Sequence, residues 1–213
     1  MTHRTDHVVP RVFELFGVAG AGKSTVARHL VESDQVVRVG ADTRGTWAET
    51  LMYDLRATAR TLPMAVRLLP RWQRRRECFS LLTGYLWQHA AAFRVGAPTV
   101  LVEEATLQRL LRLSVVDPGM LDERWTPLVD TPHVAVVLHA DSATMQERLL
   151  GRGNNIGYAQ ALADEPVDSR IWLTARMCFD RILAALGSRD VIHLDANQPA
   201  DQVARALAAK LCD

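Results

Sequence analysis

The chain has 213 residues, 48% of them hydrophobic, with 25 Lys and Arg against 24 Asp and Glu and a formal net charge of +1. That length supports an α/β domain with a sizeable core, and the hydrophobic share excludes wholesale disorder. The near-neutral balance argues against bulk binding to nucleic acid or to a membrane surface. Three cysteines, Cys78, Cys178 and Cys212, show no paired spacing and suggest neither a disulfide scaffold nor a zinc site. Residues 1–10 carry charge and histidine rather than an apolar stretch, so they do not read as a signal peptide. His3 and His7 are too sparse to suggest a metal site. With no run of about 18 apolar residues, no membrane span is expected and the cytoplasm is the expected location.

Five short apolar runs read as buried strands: Val12 to Phe16, Gln35 to Val39, Thr99 to Glu103, His133 to His139, and Asp190 to Leu194. They are predominantly apolar or β-branched rather than alternating, which suits a parallel sheet covered on both faces. Helical patterns lie between them. Lys23 to Glu32 follows the first strand, and two helices fill residues 45–95, broken near Pro63 and Pro70. Thr106 to Leu113, Ser142 to Leu150 and Ile171 to Leu186 follow, and Pro199 opens a last helix ending near Leu211. Strictly alternating elements predict an α/β fold: three layers, α/β/α, around a mostly parallel five-stranded sheet. A single domain over residues 1–213 is expected, with residues 45–95 as a helical insertion at the carboxyl edge of the sheet, where ligands bind in such folds.

Gly17-Val18-Ala19-Gly20-Ala21-Gly22-Lys23-Ser24-Thr25 matches G-x-x-x-x-G-K-[ST] at every fixed position, between a strand-like run and a helix-forming one. Glycines let the backbone point its N–H groups inward at phosphate oxygens, and the next helix adds free N–H groups and a positive dipole end. Gly17, Gly20, Ala21, Gly22, Lys23, Ser24 and Thr25 are therefore the candidate ATP-binding set. Lys23 would reach the β- and γ-phosphates and Ser24 would ligate Mg²⁺. No Asn-Lys-x-Asp of the regulatory GTPases and no Leu-Ser-Gly-Gly-Gln occurs.

Four segments together resemble the P-loop kinases of small molecules, especially the thymidylate kinase and deoxynucleoside kinase group. They are the loop itself, Val100-Leu101-Val102-Glu103-Glu104, Val136 to Asp141 with Gln146 to Gly153, and Val191 to Asn197 with Pro199. The resemblance implies a P-loop nucleoside triphosphate hydrolase fold and ATP- and Mg²⁺-dependent phosphoryl transfer. It does not reach residues 44–95, where acceptor specificity would lie.

The resemblance also suggests roles. Asp42 would accept the proton of an acceptor hydroxyl, and Arg44 would hold the acceptor or its phosphate. Arg148 and Arg152, four apart on one helix face, would belong to a lid over residues 148–170 and neutralise the transferred phosphoryl. Gly153 to Gly157 reads as a mobile loop. Asn197 would lie beside adenine. Glu103 and Glu104 end a strand where phosphates sit; Glu103 is the candidate Mg²⁺ ligand and Glu104 an acceptor contact, although the kinase group carries an acid and then Arg here. A helix N-terminal acid pair is the plainer reading of both. Arg170 and Arg176 read as surface arginines.

Arg71 to Arg76 is the densest basic run, fit for an anionic acceptor or, more plainly, for a solvated helix face. Trp47, Tyr53, Trp72, Phe79, Tyr85 and Trp87 suit core, homodimer contact or base stacking. The expected function is a kinase of a small acceptor, a nucleoside or nucleotide first and another metabolite or an antibiotic second. The rivals are a P-loop ATPase acting as a regulatory module and a nucleic-acid end kinase.

Overall fold

The computed structural model describes residues 11–33, 37–39, 97–103, 105–121, 133–153, 155–187 and 190–211. Expectations for the helical insertion at 45–95, its aromatic residues and its arginine run, and for Cys78 and Cys212, lie outside them.

Five strands form one sheet in the order β2-β3-β1-β4-β5, with every pairing parallel. They are β1 (Arg11–Phe16), β2 (Val37–Val39), β3 (Thr99–Val102), β4 (Val134–His139) and β5 (Val191–Asp195). β1 is central, flanked by β3 and β4. Chain order therefore reverses at β1, and the crevice beyond the strands' carboxyl ends is where such sheets take ligands. The helices are α1 (Lys23–Glu32), α2 (Thr106–Val116), α3 (Ser142–Arg152), α4 (Tyr158–Asp164), α5 (Arg170–Leu186) and α6 (Ala200–Leu211). α1 packs on α6 and α2 on α5.

Helix α1 keeps the bounds expected from its pattern. α2 runs past Leu113 to Val116 and α3 past Leu150 to Arg152. β3 stops at Val102, so Glu103 follows the strand rather than ending it, and β5 is shifted one residue onward. A 3-10 turn at Pro118–Met120 and helix α4 were not expected. Seven residues is too short for a periodicity to stand out, and α4 owes its place to tertiary contacts. The indole N–H of fully buried Trp172 on α5 donates to the carbonyls of Leu162, at 3.0 Å, and Glu165, at 3.3 Å. The Gln146 side-chain amide on α3 donates to the Glu165 carbonyl at 2.7 Å.

β1 reads Arg-Val-Phe-Glu-Leu-Phe, and one acid interrupts its apolar run. Phe16 turns to the α5 side, where it stacks on Phe179 with ring centroids 4.9 Å apart. Glu14 shares that face by the two-residue period of a strand and is fully buried. Its carboxylate Oε1 accepts the backbone N–H of Leu107 at 2.6 Å and of Gln108 at 3.3 Å. The residue at the N-cap of α2 is Ala105, which has no side chain to cap with. Glu14 thus supplies, from the middle of the sheet, the acceptor that an Asp or Ser normally supplies locally. Its other oxygen lies 3.9 Å from Nδ1 of His133, whose side chain is also buried.

Glu14→Ala should therefore strand two buried N–H donors, each costing roughly 1–3 kcal/mol. A loss of stability on the order of 3 kcal/mol is expected by denaturant titration. Glu14→Gln, which keeps an acceptor oxygen, should lose distinctly less.

Candidate functional site: a phosphate loop at the sheet's carboxyl edge

The loop leaves the end of β1 at Gly17. Gly20 has φ 87° and Gly22 has φ 90°, a left-handed backbone open to glycine and strained for other residues. Space is equally restrictive. A Cβ on Gly20 would stand 2.4 Å from the Met145 carbonyl oxygen of α3, and one on Gly17 would meet the Leu138 carbonyl at 3.1 Å. The loop is pressed against the turn from β4 into α3, and only glycine permits that approach.

Lys23 turns its ammonium back into the loop, donating to the carbonyls of Gly17 at 2.8 Å and Val18 at 3.1 Å. Ser24, the next residue of α1, is exposed, Thr25 is half-buried, and Ala21 is buried under the loop. Gly22 caps α1 without a side-chain hydrogen bond. Helices α2 and α3 begin on the carboxylates of Glu14 and Asp141, whereas α1 begins on a loop of backbone and one lysine. Such a helix start suits an anion, so the donor set fits the phosphates of a nucleotide. Among the described residues no group of three or more His, Cys, Asp or Glu is placed to hold a metal ion. A Mg²⁺ ion here would lean on substrate phosphates together with one or two protein oxygens.

Three other strands, β3, β4 and β5, end along the same edge of the sheet. Glu103, 8% exposed, follows β3. Beyond β4, Asp141 caps α3, accepting Thr144 N–H at 2.7 Å and its hydroxyl at 3.1 Å. Those bonds, the backbone one foremost, hold its carboxyl below the usual carboxylate range. Beyond β5, the Asn197 side-chain oxygen accepts the Asp141 backbone N–H at 3.0 Å, and the Ala196 N–H donates to the His139 carbonyl at 2.6 Å. Asn197, expected beside adenine, thus spends its side-chain oxygen on joining the two turns.

Arg148 lies where the phosphate loop and this joined pair of turns converge. A Cβ on Gly22 would be 3.5 Å from its Nη1, and its Nη2 donates to the Gln198 carbonyl at 3.4 Å. Arg152 is the last residue of α3 and is exposed. Spacing puts both arginines on one helix face, but only Arg148 is brought to the loop. Asp42, Arg44, Glu104 and Asn154 lie outside the described residues.

Several site residues escaped sequence reasoning. A cavity of about 220 Å³ opens beside the loop, lined by Val18, His139, Met145, Arg176, Phe179 and Asp180 among others. Arg176, read as a surface arginine, is exposed yet lines this cavity. His139 Nε2 and His193 Nδ1 are 2.8 Å apart across β4 and β5. Burial first, and His193 second, push the His139 pKa down, against the pull of Asp180 and Asp195. Gln108, 3% exposed on α2, accepts the Gly17 N–H at 3.4 Å. Its signal was present, since it takes the Gln108-Leu111-Val115 row of an otherwise apolar helix face. Cys178 is buried and donates to the Ser114 carbonyl at 3.4 Å; burial pushes its thiol pKa up, away from reactivity.

Two outcomes follow from this geometry. Gly20→Ala should destabilise the chain by at least about 1–2 kcal/mol from its left-handed backbone alone, with the approach to Met145 adding to it, as measured by denaturant titration. Asp141→Asn keeps a capping oxygen and removes the charge. Because the folded carboxyl has the lower pKa, its stabilisation is present above the ordinary value of 3.8 and disappears as pH falls through the folded pKa. Asp141→Asn should be less stable than the unaltered chain at neutral pH, and the gap should close in acid.

Comparison with known proteins agrees with this architecture. The sequence matches the family described as AAA domain over residues 12–180. No curated protein matches it. Among solved structures, deoxyadenosine kinase from M. mycoides with bound dATP superposes with a TM-score of 0.52 at 15% identity, covering 94% of this chain and 99% of that one. The same enzyme with products dCMP and a flexible dCDP gives a TM-score of 0.57 at 15% identity, covering 94% and 98%. At that identity the likeness is one of fold. Among the described residues no helix is long and apolar enough to cross a membrane. With most of its length matched and its phosphate loop set at the end of the central strand, the chain belongs to the AAA domain family of P-loop proteins.

Proposed function

We propose that the chain is an ATP- and Mg²⁺-dependent kinase of a small acceptor, with a nucleoside or nucleotide as the favoured class. The observation that carries this is a phosphate loop whose helix α1 starts with no side-chain cap, with Lys23 folded into the loop and Arg148 brought beside Gly22. The fold shared with deoxyadenosine kinase supports it, and that kinase's named ligands, dATP and dCMP, suggest the acceptor class.

In this reading backbone N–H groups of the loop and of the start of α1 cradle the β- and γ-phosphates, while the Gly17 N–H stays with Gln108. Lys23 exchanges its two loop carbonyls for phosphate oxygens, a move that replaces neutral acceptors with anionic ones and strengthens each hydrogen bond. Ser24 and Glu103 would hold Mg²⁺, which would supply neutralising charge to the phosphates. Arg148 is placed to meet charge spread over the equatorial oxygens, and Arg152 joins it when the lid closes. Asp42 takes the acceptor proton, while Arg44 and Glu104 hold the acceptor. The chemistry is positioning and electrostatics, with little for any side chain to do covalently.

The test is ATP consumption with Mg²⁺ against a panel of nucleosides, nucleotides, sugars and aminoglycoside-like alcohols. Acceptor-dependent turnover is expected, reduced at least about 100-fold by Lys23→Ala, as for loss of one charge-stabilising donor. Tight ATP binding with no acceptor dependence would sink the kinase reading and favour a regulatory ATPase.

A further inference from the structure

Between the phosphate loop and the segment after α3 lies one buried amide. Gln108 accepts the Gly17 N–H through Oε1 at 3.4 Å and donates through Nε2 to the Tyr158 hydroxyl at 3.3 Å. Gly17 is the first residue of the phosphate loop and Tyr158 the first residue of α4. The amide is held from behind, because its own backbone N–H is bound by the Glu14 carboxylate at 3.3 Å. Gln108 therefore sits at a fixed depth between the phosphate loop and α4.

Those elements are anchored differently. The C-terminal end of α4 is fastened by Trp172 and Gln146 through the Leu162 and Glu165 carbonyls. Its N-terminal end follows Gly157, which has φ 60°, and has no side-chain cap. Tyr158, half-buried, reaches Gln108 there. Both hydrogen bonds of Gln108 are long for their type, so neither is at its strongest in this arrangement. A shift of the loop onto phosphate and a shift of α4 would each re-aim the same side chain.

We propose that Gln108 is a positioning residue that couples occupation of the phosphate loop to the placement of α4 through Tyr158. The inference rests on the nucleotide-binding reading of the loop, but nothing in that reading requires the relay. An amide suits the task because it offers an acceptor to one partner and donors to the other at once. Tyr158→Phe removes only the hydroxyl and Gln108→Met removes the amide at similar length, so each cuts the relay with little change in packing.

The experiment is amide hydrogen exchange on the full chain with and without ATP and Mg²⁺, alongside equilibrium binding of ATP. In the unaltered chain, ATP should slow exchange in both the loop-proximal segment and α4. In Tyr158→Phe and in Gln108→Met, ATP should still bind and still protect the loop, while the added protection of α4 falls at least about threefold. The double variant should lose no more than either single one, since both cut the same link. Equal α4 protection in all variants that bind ATP would overturn the coupling alone. Failure of the unaltered chain to bind ATP would overturn the nucleotide reading and the coupling with it.

Discussion

The site depends on a carboxylate buried in the central strand. Glu14 stands three residues before the phosphate loop and accepts two N–H groups from the start of α2. A carboxyl group buried at that depth needs hydrogen-bond partners, and its Oε1 finds two backbone donors at a positive helix end. The result is that the strand carrying the loop and the helix following β3 share one rigid joint. Gln108 is part of that joint and Glu103 lies shortly before it in the chain, so Glu14 helps fix where α2 stands relative to Gly17.

The same logic distinguishes the helices around the site. α2 and α3 open on fixed carboxylates from Glu14 and Asp141, whereas α1 opens on glycine backbone with a folded-back lysine. Two helix starts thus face protein carboxylates, whereas the positive end of α1 faces the loop. Arg148 adds to it from α3, steadied by the Gln198 carbonyl. The Asp141–Asn197 and His139–Ala196 hydrogen bonds bind the β4 and β5 turns into one ledge beneath that arginine. Compact anionic groups with flexible remainders are the chemistry such an edge accepts, which is why a nucleoside triphosphate fits it.

Much of this was legible in the sequence. The loop motif and the alternation of elements place the site, because a parallel sheet leaves its ligands one edge. The bounds of α1 follow directly from Gly22 and the apolar row of Val26, Ala27 and Leu30. What was not legible depends on contacts distant in sequence. Glu14 reads as an acid misplaced in a strand until α2, over 90 residues later, is seen to need a cap. Helix α4 carries too few turns to announce itself and is held by Trp172 and Gln146. Arg148 and Arg152 are equivalent by spacing, but only the packing of α3 against Gly20 brings one of them to the loop. The resemblance sets the backbone around Asn197 beside adenine; that its side-chain oxygen ties the β5 turn to the β4 turn depends on Asp141, 56 residues away.

The measurement that tests the central claim most directly is equilibrium binding of a fluorescent ATP analogue, with and without Mg²⁺, competed by unlabelled ATP and by inorganic triphosphate. The account predicts one saturable site, tightened by Mg²⁺ and emptied by either competitor, because the phosphates carry the recognition. Binding that ignores triphosphate and Mg²⁺, or no binding at all, would contradict it.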